Sequence, residues 1–504
     1  MNFKSILTLT SSVLLAFTLL VSCSDDNNGS SDANPPSVTA PQASSNPNLI
    51  IGEATDVTFN INVPGGYASS SVEATNGTAS ISSEPSAGST SGQVVVNFTA
   101  NTSGAATITL TVTDEDGMSD DATTAITIGE ESSEVLLTSN ITSDTTWETG
   151  KIYILGGRIA VEAGVTLTIE PGVIVKGEAG SGANATALLV ARDAMLNANG
   201  TADAPIIFTS VADEITPDDV AAGNFGSPNL DPDVNGLWGG VIVLGNAPIS
   251  ASTSPTQIEG IPASDTNGLY GGDDPTESSG TIRYISIRHG GANIGEGNEI
   301  NGLTLGAIGS GTVVEMVEVV ANQDDGIEWF GGNVSVDGIV SWNVGDDGLD
   351  TDQDWIGTAS NFLIVTPGGH GFELDGPEGD TNRGCFTLTN GILYAGDNIV
   401  STVDFDENTN AGLTDVYFYG FSPSYGATES FKPVPNFGGD GNCESANWEY
   451  TLAEGGAPAE DIFTGVPTEI LTEVSVNGNS VGPNVADFSW TWASQSGALS
   501  SIGL

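Results

Sequence analysis

Apolar positions along this chain fall mostly in short alternating runs. Val57-Thr-Phe-Asn-Ile-Asn-Val63, Gln93-Val-Val-Val-Asn-Phe-Thr99 and Ala106-Thr-Ile-Thr-Leu-Thr-Val-Thr113 place an apolar side chain at nearly every second residue. That is the period of a half-buried strand. Gly, Ser and Pro turns separate these runs, so residues 49–130 read as a β-sandwich. From about residue 135 the strands shorten and each closes on a glycine, as in Val161-Glu-Ala-Gly-Val-Thr-Leu-Thr-Ile-Glu-Pro-Gly-Val-Ile-Val-Lys-Gly177. Leu188 to Ser210 repeats the idea one coil later. A single coil of this kind cannot bury its apolar face, so coils must stack. Beyond residue 22 no long run has helical period. The expectation is an all-β chain: a sandwich over 49–130, a solenoid over 135–445 and a C-terminal cap over 446–504. Phe488-Ser-Trp-Thr-Trp492 is expected to cover the open edge of the last coil. Exposed aromatic rings stacking on sugars are the rival role.

Three segments of the solenoid fall into register. They are Ala321-Asn-Gln-Asp-Asp-Gly-Ile-Glu-Trp-Phe-Gly-Gly332, Asn343-Val-Gly-Asp-Asp-Gly-Leu-Asp350 and Pro367-Gly-Gly-His-Gly-Phe-Glu-Leu-Asp-Gly376. Gly326, Gly348 and Gly371 recur at one-coil intervals, each followed by an apolar residue and then an acidic one. Asp and Gly suit left-handed turn positions, so the glycines are expected to make turns. The register puts Asp324 over Asp346 and Gly369, Asp325 over Asp347 and His370, and Glu328, Asp350 and Glu373 in one column. Like charges at the strand spacing of about 4.8 Å repel, so these acids should hold their protons or share a cation.

The composition sharpens that reading. Nine Lys+Arg stand against 65 Asp+Glu, a net charge of −56, and 66 of the 504 residues are Gly. Such a surface excludes nucleic acid and anionic headgroups as partners and attracts divalent cations. Ca²⁺ takes six to eight oxygen ligands. Asp324, Asp325, Asp346, Asp347, Asp350 and Asp352 are the candidate ligands. No phosphate-binding loop, nucleophile elbow or zinc-ligand spacing is present.

The N-terminus gives an address. Met1-Asn-Phe-Lys4 is a basic start, and Ile6 to Val21 is apolar but short for a membrane span. Leu20-Val21-Ser22-Cys23 resembles the bacterial lipobox. The resemblance implies a signal peptide over 1–22, lipidation of Cys23 and membrane attachment through that lipid alone. Ser24-Asp25-Asp26 is similar to the surface-export signal of Bacteroidetes lipoproteins, which implies the outer face of the outer membrane. Residues 23–48, rich in Ser, Asn, Asp and Pro, read as a flexible tether. Of the remaining cysteines, Cys385 and Cys443 either form one disulfide or stay as two separate thiols.

Further resemblances concern the folded part. Thr107-Ile-Thr-Leu-Thr-Val-Thr-Asp-Glu-Asp-Gly-Met-Ser-Asp120 followed by Thr124-Ala-Ile-Thr-Ile128 is similar to the last strand pair of bacterial immunoglobulin-like, cadherin-like and PKD-type domains, which serve as spacers or adhesive modules. Asp114, Glu115 and Asp116 there read as a solvated hairpin turn, with Ca²⁺ ligation the alternative. The runs Thr168-Ile-Glu-Pro-Gly172, Asn199-Gly-Thr-Ala-Asp-Ala-Pro-Ile-Ile-Phe-Thr-Ser210, Trp238-Gly-Gly-Val-Ile-Val-Leu-Gly245 and Ile282-Arg-Tyr-Ile-Ser-Ile-Arg-His-Gly-Gly291 resemble right-handed parallel β-helix proteins of bacterial surfaces. That resemblance reaches roughly residue 440 and is silent about function. The inserts Val211 to Asn235 and Ala251 to Ser279 are expected to project as loops.

Asn-Gln-Asp-Asp-Gly, Gly-Asp-Asp-Gly and Gly-Gly-His-Gly, in that order, resemble the active-site strands of the polygalacturonase family of glycoside hydrolases. The resemblance implies Asp325 and Asp347 as bases activating water, Asp346 as general acid and His370 holding that acid. Two departures stand out. The first segment has Asp324-Asp325 where the family has Thr-Asp, and Asn398-Ile-Val-Ser-Thr-Val-Asp-Phe-Asp406 carries no base where the family has Arg-x-Lys. A β-elimination would need a base such as Lys, Arg, His or Tyr. Arg283, Tyr284, Arg288 and His289 are instead expected on a solvated strand face. The sequence thus predicts a Ca²⁺-dependent binder of polysaccharide or another cell-surface component, with a glycoside hydrolase as the alternative.

Overall fold

The computed structural model describes residues 34–129, 133–292, 300–378, 383–406, 408–425 and 443–504. The signal peptide, Cys23 and the first part of the tether lie outside the described residues. The chain divides into two compact units, Met1–Ser132 and Ser133–Leu504. In the first unit the two-residue alternation does what it predicts. Val57, Phe59 and Ile61 of the strand Ala54–Asn62, Val94, Val96 and Phe98 of Ser91–Ala100, and Ile108, Leu110 and Val112 of Gly104–Asp114 all enter one buried core. Two four-stranded sheets supply it. The tether is shorter than the sequence suggests. Ser37–Thr39 pairs antiparallel with Asn60 to Asn62, and Asn46 Nδ2 donates to Ala125 O at 2.9 Å. Backbone N–H and C=O groups at a sheet edge are open to pairing, and the segment satisfies them.

The second unit stacks coils. One sheet of fifteen strands and one of eight run through it, and all their pairings are parallel. The longer strands bend in the middle, where Tyr284, Met316, Asn361, Asn390, Asp415 and Asn447 take positive φ of 47–58°. Short polar side chains tolerate that region best, and here they bond along the stack. Asn390 Nδ2 donates to Asn361 Oδ1 at 2.6 Å and Asn447 Nδ2 to Asp415 Oδ1 at 2.9 Å. The bend splits the long sheet into two faces. Gly280–Arg288 pairs through its first half with Met195–Asn199 and through its second half with Ile206–Ser210. The eight-stranded sheet is the third face of a parallel β-helix. Its bore is filled by Val, Ile and Leu, with Trp147, Trp238, Trp329, Trp355 and Trp448 among them. Trp329 and Trp355 stack at 4.7 Å.

Several expectations change at the periphery. The coils continue past residue 445, since Ala446–Tyr450 and Leu471–Glu473 extend the long sheet. Neither insert projects. Ile215, Val220 and Phe225 of the first pack on Ile152, Ile174 and Ile207, and Ile258, Ile261 and Tyr270 of the second pack on the third face. Ile462, Phe463 and Val466 of the expected cap pack into the end of the bore beside Trp448, but the segment from Phe488 onwards does not. It runs back along the outer surface of the long sheet as a strap, with Phe488 and Trp492 against Val320, Trp342, Leu363 and Tyr417, and Trp490 against Ile207. Its aromatics are therefore buried, which removes them as sugar-stacking platforms. Cys385 and Cys443 are bonded to each other, with Cα atoms 5.6 Å apart.

The strap also overturns the solvated placement of Arg288 and His289. Arg288 is 1% exposed and His289 fully buried beneath Trp492. The guanidinium carbon lies 4.9 Å from the Trp492 ring centre, and the His289 ring meets the same indole edge-on at 5.5 Å. Ser286 Oγ bridges the charges, accepting from Arg288 Nε at 2.8 Å and donating to Glu318 Oε2 at 2.5 Å. Glu318 Oε1 in turn accepts the Ala493 N–H at 2.9 Å. Breaking such a network by removing one member would leave the other charge buried and less compensated. Replacing Trp492 by alanine should cost about 3–5 kcal/mol, the usual loss for a buried large aromatic. Limited proteolysis checks it: the first cuts should move into residues 480–504, and an unchanged pattern would show that Trp492 does not fasten the strap.

Candidate functional site

The third face carries the acidic register. Its side chains alternate: Ile327, Leu349, Phe372 and Val403 point into the bore in one column, and the neighbouring position points out. That outward column reads Ala160, Leu189, Ile242, Thr304, Glu328, Asp350, Glu373, Asp404 along consecutive coils. Its apolar start lies under the second insert. Its acidic end begins where the chain stops supplying apolar residues. The column contains Glu328 and Glu373, which sequence reasoning stacked with Asp350 but left out of its ligand set.

The turns entering this face repeat from coil to coil. Gly326 N–H donates to Asp347 O at 2.9 Å, and Gly348 N–H donates to His370 O at 3.0 Å. Asp325 Oδ1 accepts the Asp347 N–H at 2.9 Å, and Asp347 Oδ1 accepts the His370 N–H one coil on. Asp346 O accepts from Gly369 N at 2.8 Å. The turn glycines have a different reason from the expected one. None of Gly326, Gly348 and Gly371 takes positive φ; the left-handed residues of these turns are Ala321, Asn343 and Thr366. A Cβ at Gly348 would lie 2.5 Å from Ile364 Cγ2 and 2.7 Å from Gly371 O. The face approaches its neighbour too closely for any side chain.

Three clusters result. Asp324, Asp325 and Asp346 bring one oxygen each within 4.8 Å of one another, as do Asp325, Glu328 and Asp350, and as do Asp347, Glu373 and a His370 nitrogen. Asp352 does not join them. It lies at the far end of its strand, near Gln353, Asp375 and Glu378. His370 Nδ1 sits 3.0 Å from Asp347 Oδ1, so the histidine serves Asp347 and not Asp346, because residues 347 and 370 occupy the same place in successive coils. Asp346 is exposed, whereas Asp325 and Asp347 are buried.

Electrostatics follow from the crowding. Burial, then the neighbouring charges of Asp324, Asp347 and Glu328, pushes Asp325 well above the usual carboxylate range. Burial with Glu328 and Asp325 does the same to Asp350, and burial with Glu259 and Asp352 to Glu328. Glu373, hydrogen-bonded to Asp347 and partly buried, is pushed up to about 10. Burial disfavours the charge on Asp347 too, but hydrogen bonds from His370 and Glu373 outweigh it and hold Asp347 below its ordinary value. The two carboxyls are therefore pushed apart, Asp347 towards its charged form and Glu373 towards its neutral one. Arg383 brings no relief, being tied to Asp354 at 3.2 Å. Asp347 Oδ2 and Asp350 Oδ1 are buried without a hydrogen-bond partner.

A family model described as a pectate-lyase like beta helix domain matches residues 139–422, more than half of the chain. The chain belongs to that family. The matched span ends close to the last coil of the acidic ladder, so the ladder lies wholly within the family's β-helix. Among solved structures, the family 28 exopolygalacturonase of Yersinia enterocolitica shares 10% identity over 83% of this chain and 93% of that one, at a TM-score of 0.17. No curated protein matches the chain.

Burial, joined by Glu378 and Asp375, lifts Asp352 to about 7. A raised carboxyl favours the protonated folded state, so its contribution is intact below the unfolded value near 4 and is lost as pH rises towards 7. Without metal, stability should fall by a few kcal/mol across that window. Urea unfolding in chelator at pH 5 and pH 8 reads the slope, and Asp352→Asn should flatten it.

Proposed function

We propose that this protein is a surface-exposed outer-membrane lipoprotein, anchored through Cys23, whose β-helix binds an extracellular polysaccharide with Ca²⁺ held at the acidic ladder. The observation that carries the metal reading is the Asp324–Asp325–Asp346 cluster. Ligand oxygens lie about 2.3–2.6 Å from Ca²⁺, so two on opposite sides are separated by about 5 Å. Oxygens within 4.8 Å of one another fit that sphere. The buried, partnerless Asp350 Oδ1 beside Asp325 supports the fit. An all-oxygen set selects a hard cation. Asp324, Asp325 and Asp346 would hold it, with Glu328 and Asp350 adjoining. A bound divalent cation supplies positive charge that lets these carboxylates ionise together and lets the carboxylates of an acidic glycan approach a chain of net charge −56.

A second reading has its own support. Asp347, held below its ordinary value, lies near Glu373, pushed up to about 10, so the environment separates two carboxyl groups as acid and base roles require. On that reading the chain is a glycoside hydrolase acting through Asp325, Asp346, Asp347 and His370. The resemblance stops short at the substrate grip, where residues 398–406 carry no base.

Calorimetry with Ca²⁺ alone should show binding at the ladder, and a chelator should lower the melting temperature by several degrees. Asp325→Asn should reproduce most of the chelator's effect. A melting temperature unmoved by chelator sinks the metal reading. Sedimentation with insoluble acidic polysaccharides should show Ca²⁺-dependent retention of the wild type. Reducing-end assays on the same polysaccharides separate the two readings: release of ends that Asp346→Asn abolishes would replace the binder by the hydrolase.

A further inference from the structure

The N-terminal unit contains a buried carboxylate oxygen with nothing to neutralise it. Asp114 ends the strand Gly104–Asp114 and is 2% exposed. Its Oδ1 accepts the Met118 N–H at 2.8 Å, which closes the hairpin, but its Oδ2 is buried with no hydrogen-bond partner. That oxygen points at Gly65, where a Cβ would lie 2.7 Å from Asp114 Oδ2 and 3.3 Å from Asp116 Oδ2. Two carboxylates on one hairpin thus converge on a single point above a residue that has no side chain. The backbone fixes this approach, since Glu115 N–H donates to Gly66 O at 2.9 Å. The Glu115 carboxyl flanks the same turn, 3.3 Å from where a Cβ of Gly66 would be.

From Ser5 to Gly150 the chain has no Lys, Arg or His. No basic side chain of this unit is available to pair with Asp114. A buried carboxylate oxygen left without a partner is costly, and no hydrogen-bond donor reaches this one. We propose a second cation site here, separate from the acidic ladder, in which Asp114 Oδ2 and Asp116 Oδ2 hold a hard divalent cation of the Ca²⁺ class over Gly65. Water completes the shell on the exposed side, where Glu115 and Asp116 lie. The site pins the hairpin Asp114–Ser119 to the Pro64–Gly66 turn and stiffens that end of the unit. The expectation of a merely solvated hairpin turn does not account for the buried Oδ2.

Native mass spectrometry of the full chain in Ca²⁺ counts the sites. Asp116→Asn and Asp114→Asn should each carry one Ca²⁺ fewer than the wild type, and Asp325→Asn, which removes a ladder ligand, should keep this ion. Asp114→Asn retains an oxygen for the Met118 N–H, so the hairpin should still form. In chelator its melting temperature should equal or exceed that of the wild type, and in Ca²⁺ it should fall below. Equal ion counts in the wild type and both variants overturn the proposal. So does an Asp114→Asn effect of the same size with and without Ca²⁺, which would mean that Oδ2 simply holds a proton. An Asp325→Asn variant that carries as many ions as the wild type would tell against the ladder and leave this site standing.

Discussion

Coil-on-coil pairing through parallel backbone hydrogen bonds is the constraint from which the rest of the second unit follows. Once Gly326 bonds to Asp347 O and Gly348 to His370 O, every residue of one coil has an assigned place over the next. The strand spacing of about 4.8 Å then decides what may stand in a column. Inward columns take Leu349 under Phe372 and beside Trp329, because only apolar side chains fill the bore. Outward columns have no such requirement. They can carry charge, and the column from Glu328 to Asp404 carries nothing else.

A chain with nine basic residues cannot balance such a column with ion pairs. The described arginines are committed elsewhere: Arg158 to Asp265, Arg192 to Gly271 O, Arg283 to Glu315, Arg288 to Glu318 and Arg383 to Asp354. The acids therefore resolve their repulsion by other means. Backbone N–H groups one coil further on neutralise part of Asp325 and Asp347. Glu373, pushed up to about 10 beside Asp347, keeps its proton and removes one charge. What those devices leave uncompensated is the charge that the proposed cation would meet, and the same logic applies on a smaller scale to Asp114. Both places are ones where the surrounding fold is complete but the local charge is not.

The outer surface of the long sheet illustrates a different solution. Arg288, Glu318 and His289 would be ordinary exposed residues on a bare solenoid. The strap buries them beneath Trp492 and turns a polar patch into a fastening, because Ser286 joins Arg288 to Glu318 and the strap itself adds the Ala493 N–H to Glu318. Two inserts treat the remaining apolar surface in the same way, folding onto it where loops were expected.

By itself the sequence determined the parts that depend on periodicity. Alternation in Val57–Val63 and Ala106–Thr113 specified strands and their buried faces, and the spacing of Gly326, Gly348 and Gly371 specified the stacking register, including which acids share a column. These are local or repeating properties, and one residue's neighbours in the chain are enough to reveal them. Tertiary structure decided the rest. Whether Gly348 is a turn or a point of close contact depends on Ile364 across the bore. Whether Arg288 is wet or dry depends on a segment two hundred residues away. Whether Asp347 is ionised depends on Glu373 and His370 lying one coil on at hydrogen-bonding distance. Each of these turns on which atoms from distant parts of the chain come within a few ångströms, and the burial and dielectric that set those energies exist only once the coils have closed on one another.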